Sequence, residues 1–240
     1  MFFLLLLIVS FAGFAGDIYL RLYTGYDLEG HCTWRDKDCS DTRDTPVYGC
    51  GYYARGDAGK SSVFDFFAGY RADDWICLEL GFLYRPGIRY EGQVNYPDAG
   101  DNQPVRCDIK VLAGTFNVRF DLLSEPRWFR PYVVLGAGIS RNSTDDVYMT
   151  FPELERPHNF IVPGDSRYSF CCSAVLGNSF RINDSIAVEM EFHYTDFGVM
   201  ETARGEGRME REGQVTLITV NPTEAYLFTY GARIGISYKF

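Results

Sequence analysis

From residue 17 onward, apolar residues recur at every second position in one short segment after another, and no useful stretch carries helical spacing. Period two is the signature of a β-strand with its two faces in different surroundings. Eight segments show it: 17–26, 62–72, 75–85, 110–120, 129–139, 168–180, 186–195 and 226–240. In 186–195, Ile186, Val188, Met190, Phe192 and Tyr194 alternate with Ala187, Glu189, Glu191, His193 and Thr195. The segment 168–180, with Cys171 beside Cys172, leaves its facing open. No stretch after residue 16 approaches the ~20 apolar residues of a membrane helix, so any membrane crossing must be made by strands.

The connections alternate as well. Short turns lie near Asp73-Asp74, at 121–127 and at 182–185, whereas 27–61, 86–106, 140–167 and 196–225 are long and polar. Short turns at one end, long loops at the other and an even strand count are the layout of a transmembrane barrel. Its strands need only ~9–11 residues each. In hydrocarbon every backbone N–H and C=O needs an internal partner, so the sheet must close, with the first and last strands as the natural pair.

A soluble lipocalin-like barrel also has eight alternating strands, with the apolar parity turned inward. Aromatic residues separate the two readings. Trp75, Trp128, Phe129, Tyr238 and Phe240 fall at the short-turn end, and Tyr26, Tyr84, Tyr194 and Tyr226 at the long-loop end, with aliphatics such as Leu78, Leu80, Val188 and Ile234 between. Aromatic belts flanking an aliphatic zone fit two bilayer interfaces. The apolar parity is therefore expected to face lipid. The opposite parity carries Arg21, Asp65, Arg71, Glu79, Arg119, Glu189, Glu191 and Arg233. Eight strands enclose a lumen about filled by side chains, where poorly hydrated charges must pair. These residues are expected to form a network that plugs the barrel; a gated ion path through them is the alternative.

Composition narrows the partners. With 23 basic against 32 acidic residues the formal charge is −9, which argues against nucleic acid, whose binding draws on clustered Lys and Arg. Residues 1–15 form an uncharged apolar run ending in Gly13-Phe14-Ala15, which reads as a signal peptide although no Lys or Arg precedes it. Residues 16–240 then form the barrel domain. Of seven cysteines, Cys32, Cys39, Cys50 and Cys107 fall in or next to the long loops. In an oxidising compartment these four can form two disulfides in any of three connectivities, and their spacing fits no zinc signature. The three histidines are too scattered for a metal site. No cofactor is expected.

The terminal Gly235-Ile236-Ser237-Tyr238-Lys239-Phe240, the segment 131–138 (PYVVLGAG) and the segment 189–194 (EMEFHY) resemble the eight-stranded outer-membrane β-barrel family of Gram-negative bacteria, the OmpA-like, OmpX-like and opacity-type surface proteins. The resemblance spans essentially the whole mature sequence. It implies an all-β, eight-stranded, antiparallel up-and-down transmembrane barrel with short periplasmic turns and long extracellular loops. It also implies that Ile236, Tyr238 and Phe240 form a C-terminal signal for the outer-membrane assembly machinery. Outer-membrane lipid and lipopolysaccharide are expected around the barrel, and a host or surface ligand at the loops. The expected role is structural or adhesin-like and not enzymatic. Three alternatives stay open: a narrow channel for ions or small solutes, a lipid-modifying outer-membrane enzyme and a soluble periplasmic lipocalin-like carrier. His193 points away from the enzyme, because it lies on the inward parity and no serine follows at the spacing seen in lipid A deacylases.

Overall fold

The computed structural model describes residues 18–28, 30–37, 51–96, 99–123 and 128–240. The leader 1–15, Cys39 and Cys50 lie outside the described residues. Fourteen strands are described: β1 Ile18–Leu28, β2 Gly30–Asp36, β3 Tyr53–Ala58, β4 Ser61–Arg71, β5 Ile76–Val94, β6 Pro104–Asp121, β7 Phe129–Thr144, β8 Val147–Phe151, β9 His158–Val162, β10 Ser166–Arg181, β11 Ile186–Glu201, β12 Gly205–Arg211, β13 Gln214–Val220 and β14 Thr223–Lys239. Eight of them, β1, β4, β5, β6, β7, β10, β11 and β14, pair antiparallel in that order. The ring closes between β1 and β14, with Leu22 opposite Ile236 and Tyr26 opposite Ala232. Among the described residues no helix is long and apolar enough to cross a membrane.

In the half of the ring near the short turns, aliphatic and aromatic side chains face outward. Leu22, Leu80, Phe116, Leu135, Ile139, Leu176, Phe192 and Ile236 are all exposed, while Arg21, Glu79, Arg119, Glu189 and Glu191 are buried inside. Trp75, Trp128, Tyr238 and Phe240 stand exposed toward one end of this zone, and Tyr26, Tyr84, Tyr194 and Tyr226 toward the other. The open facing of residues 168–180 resolves: Cys171, Val175 and Gly177 turn inward, and Phe170, Cys172, Ala174 and Leu176 turn outward.

The long connections read from sequence as polar loops are in large part strands, and this corrects that reading. β5 and β6 run on to Val94 and back from Pro104 as one tall hairpin. The β2–β3 hairpin fills the wall between β5 and β14. On the other side β8, β9, β12 and β13 extend it from β6. Within this upper storey the alternation is inverted. Tyr90, Val105, Ile109, Val147, Met149, Phe160 and Leu227 are buried inside, whereas Arg89, Glu91, Arg106, Asp108 and Lys110 face out. A strand that leaves the bilayer meets water on its outer face, so the apolar parity must turn inward to stay dry.

Two β-bulges fall where the inversion begins. One, between Arg85 and Ile88, contains Pro86, which cannot donate to the ladder. The other lies between Asp196 and Gly198, with Gly198 at φ 73°, a backbone state only glycine adopts freely. Each bulge adds one residue and so exchanges the inward and outward parity beyond it. Above Asp196 the β10–β11 ladder ends. Ser140 and Asn142 then donate to the Phe197 carbonyl, and Asn142 and Ser169 to that of Val199, so side chains satisfy what the ladder leaves open.

Cys32 and Cys107, read from sequence as able to form disulfides that brace the long loops, are free thiols on inward strand faces of the upper core. Burial pushes the Cys32 thiol up to about 12 and that of Cys107 further still, with Cys32 adding to the rise. At pH 8 roughly one Cys32 in ten thousand carries the reactive thiolate at such a pKa. Cys32 and Cys107 should therefore resist a soluble maleimide in the folded protein and react fully once it is denatured, as intact-mass analysis would show. Rapid labelling of either in the folded state contradicts the packed upper core.

Candidate functional site

The lower lumen is filled by charge. Arg21 on β1 sits at its centre, 2.9 Å from Glu79 on β5 and 3.1 and 3.3 Å from Glu189 and Glu191 on β11. Tyr19 donates to Glu79 at 2.6 Å, and Tyr132 to Glu191 at 2.6 Å. Tyr23 donates to Glu191 at 2.8 Å and also hydrogen-bonds Glu189. Three tyrosine hydroxyls thus supply donors that the arginine alone cannot. Glycines make room for all three rings, because a Cβ at Gly69 would collide with Tyr19, one at Gly177 with Tyr132 and one at Gly235 with Tyr23.

The network extends both ways from this centre. Toward the short turns, Arg119 bridges Glu189 at 2.9 Å and Asp121 at 2.7 Å, and Arg71 reaches Asp121 at 2.9 Å. Toward the upper storey, Arg233 joins Glu191 to Asp65. Arg85 joins Asp65 at 2.6 Å to Asp27 at 2.7 Å, and Asp27 receives His193 Nε2 at 2.6 Å. All eight charges singled out from sequence lie in this one network. The sequence reading missed Asp27, Arg85, Asp121 and Arg130. With these included, six guanidiniums (Arg21, Arg71, Arg85, Arg119, Arg130, Arg233) face six carboxylates (Asp27, Asp65, Glu79, Asp121, Glu189, Glu191).

Burying ions costs several kcal/mol each before pairing recovers it. Within the network each carboxylate is set against guanidiniums from other strands, which ties the strands across the lumen. The upper storey caps it with Trp34, Tyr90, Val105, Met149 and Phe160 in one continuous apolar cluster. The two layers touch where the Arg85 guanidinium lies 5.6 Å from the ring centre of Phe197. Between barrel and storey, Arg167 and Lys37 clamp Glu201 at 2.6 and 2.8 Å. Burial raises the pKa of that carboxyl, but the two cations outweigh it and hold it below its ordinary value.

Comparison with known proteins agrees with this architecture. The crystal structure of the outer membrane protein OprG from Pseudomonas aeruginosa aligns over 94% of this chain and 96% of its own, with a TM-score of 0.53 and 17% identity. The outer membrane protease OmpT from Escherichia coli aligns over 93% of this chain and 97% of its own, with a TM-score of 0.51 and 12% identity. At such identities the likeness shows the fold alone. Sequence comparison with curated proteins finds no match. The sequence model of one family, the outer membrane protein beta-barrel domain, matches residues 1–240. A lipid-facing ring closed from first strand to last is the structure such a match calls for, and the chain belongs to the bacterial outer-membrane protein β-barrel family.

Proposed function

We propose that this chain is a sealed outer-membrane barrel that presents a rigid, β-walled surface to the cell exterior, with a structural or adhesin-like role and no catalytic one. The observation that carries this reading is the double seal. A packed apolar core stacks directly on a layer of opposed charges, so the strands that reach above the bilayer build a platform and not the mouth of a pore. Loops carried by a rigid scaffold are where binding commonly resides. On the outer wall of the platform His31, Asp57, Glu91, Arg106 and Tyr148 form one row across β2, β3, β5, β6 and β8. This row borders a groove of about 910 Å³. A surface ligand, or the lipopolysaccharide sugars around the barrel, would meet this row first.

In the same reading, residues 1–15 are a leader removed on export. The outward-facing Ile236, Tyr238 and Phe240 are the side chains that the assembly machinery engages.

Conductance decides between platform and channel. The refolded wild type in a planar bilayer should stay at the membrane baseline. Glu79→Gln should stay there too, because the apolar layer above is untouched. Sizeable, stable conductance of the wild type would overturn the sealed-barrel reading.

A further inference from the structure

At the short-turn end the charge layer opens into a vestibule of about 450 Å³, and cations dominate its walls: Arg71, Arg119, Arg130, Arg181 and Lys239. Three anions line it as well: Asp74 is exposed on the β4–β5 turn, where its backbone carbonyl accepts from Arg71 at 3.2 Å. Glu189 serves Arg21 and Arg119, and Asp184 lies 3.5 Å from Arg181. Asp121 is approached by three guanidiniums at once, with Arg119 at 2.7 Å, Arg71 at 2.9 Å and Arg130 at 3.8 Å. The third distance is too long for a hydrogen bond. Arg130 Nε is buried with no acceptor, and buried donors in folded proteins are nearly always matched. Arg71 and Arg130 keep 20% and 26% of their side-chain surface open, so both can be reached from the vestibule.

We propose that this mouth is a binding site for a phosphate-class oxyanion, held by Arg130 and Arg71 from above and by Arg181 from the rim. A carboxylate offers two oxygens in one plane, and Asp121 already fills that role. A tetrahedral oxyanion presents acceptors in several directions and matches guanidiniums converging from three strands. The mouth lies at the level of Trp75, Trp128 and Phe240, which stand exposed at the same end. Aromatic girdles mark the headgroup level, so the anion can come from a lipid headgroup of that leaflet or from free phosphate in solution.

The test uses protein carrying 15N-labelled arginine, refolded in a phosphate-free maltoside detergent. Inorganic phosphate is titrated against an ionic-strength-matched chloride control, and the arginine Nε–Hε resonances are followed. The Arg130 resonance should shift saturably, with a dissociation constant on the order of 1 mM. Arg181→Gln, at the exposed rim, should weaken binding about tenfold, the scale of one charged hydrogen bond. Arg89→Gln, on the outer wall, should leave it unchanged. In phosphate-free buffer, nanodiscs of phosphatidylglycerol either reproduce the shift, which assigns the site to headgroups, or do not, which assigns it to soluble phosphate. No saturable shift at Arg130 or Arg71, or an equal shift with chloride, overturns the proposal. Heat-modifiable migration on gels confirms that each variant folds.

Discussion

Replacing Arg21 by methionine should cost the folded barrel about 3–5 kcal/mol, the usual penalty for deleting one partner of a buried ion cluster. Methionine keeps much of the length and apolar stem, so the loss isolates the guanidinium. Three carboxylates, Glu79, Glu189 and Glu191, depend on this one cation and come from two strands on different parts of the ring. Without it, Glu79 keeps only the Tyr19 hydroxyl among its hydrogen bonds, while Glu189 and Glu191 retain Arg119 and Arg233. The strain therefore concentrates on Glu79. The double variant Arg21→Met/Glu79→Gln should recover a substantial part of the loss, because it removes the charge left stranded. Urea unfolding in lipid vesicles, followed by heat-modifiable migration, would measure both. A wild-type midpoint for the single variant, or a double variant weaker than the single, would show that the charges are not coupled as the geometry places them.

The membrane-spanning half was legible because lipid imposes a strict rule. Outside positions there must be apolar, so in 186–195 the alternation of Ile186, Val188, Met190 and Phe192 with Glu189, Glu191 and His193 leaves one register. The four missed charges share a cause. Asp27 and Asp121 lie just beyond the segments as read, at the ends of strands that continue into what looked like loop and turn. Arg85 and Arg130 sit on the inward parity at segment ends, where a charge reads equally well as a solvated rim. The upper storey was hidden by composition. The bulges at Arg85/Ile88 and Asp196/Gly198 exchange inward and outward positions, and the apolar face also changes sides as the wall enters water. The two reversals cancel, so Ile76 to Tyr84 and then Ile88 and Tyr90 keep one sequence parity, but Pro86-Gly87 and the charges Arg85, Arg89 and Glu91 made the continuation read as a polar loop. In β6, which has no bulge against β7, the change of side is plain. Its inward residues run Val105, Cys107, Ile109, Val111, Ala113 and then Thr115, Asn117, Arg119, Asp121, apolar above and polar below on a single face.

The two storeys should also come apart energetically, and Phe160→Ala is the substitution that separates them. Phe160 on β9 is 1% exposed. It lies opposite Met149 on β8 and Met209 on β12, and its ring is seated where a Cβ at Gly207 would collide with it. Truncating such a side chain typically costs 3–5 kcal/mol in lost transfer energy plus cavity, and the strands that flank β9 in the sheet are β8 and β12. None of these belongs to the closed eight-strand ring, whose ladder and charge layer stay intact. Local stability in a folded protein ranges from near zero to the global value, and units opening independently are contiguous in structure. The expected result is a barrel that still migrates as folded without boiling but whose residues 147–162 and 205–220 become readily cleaved by protease and exchange amide hydrogens rapidly. Bilayer conductance should remain at baseline, since the charge layer closes the lumen by itself. If Phe160→Ala instead lowers the unfolding midpoint of the whole ring as far as Arg21→Met does, the platform and the barrel fold as one unit. Unchanged protease resistance would place Phe160 outside the packing that holds the platform together.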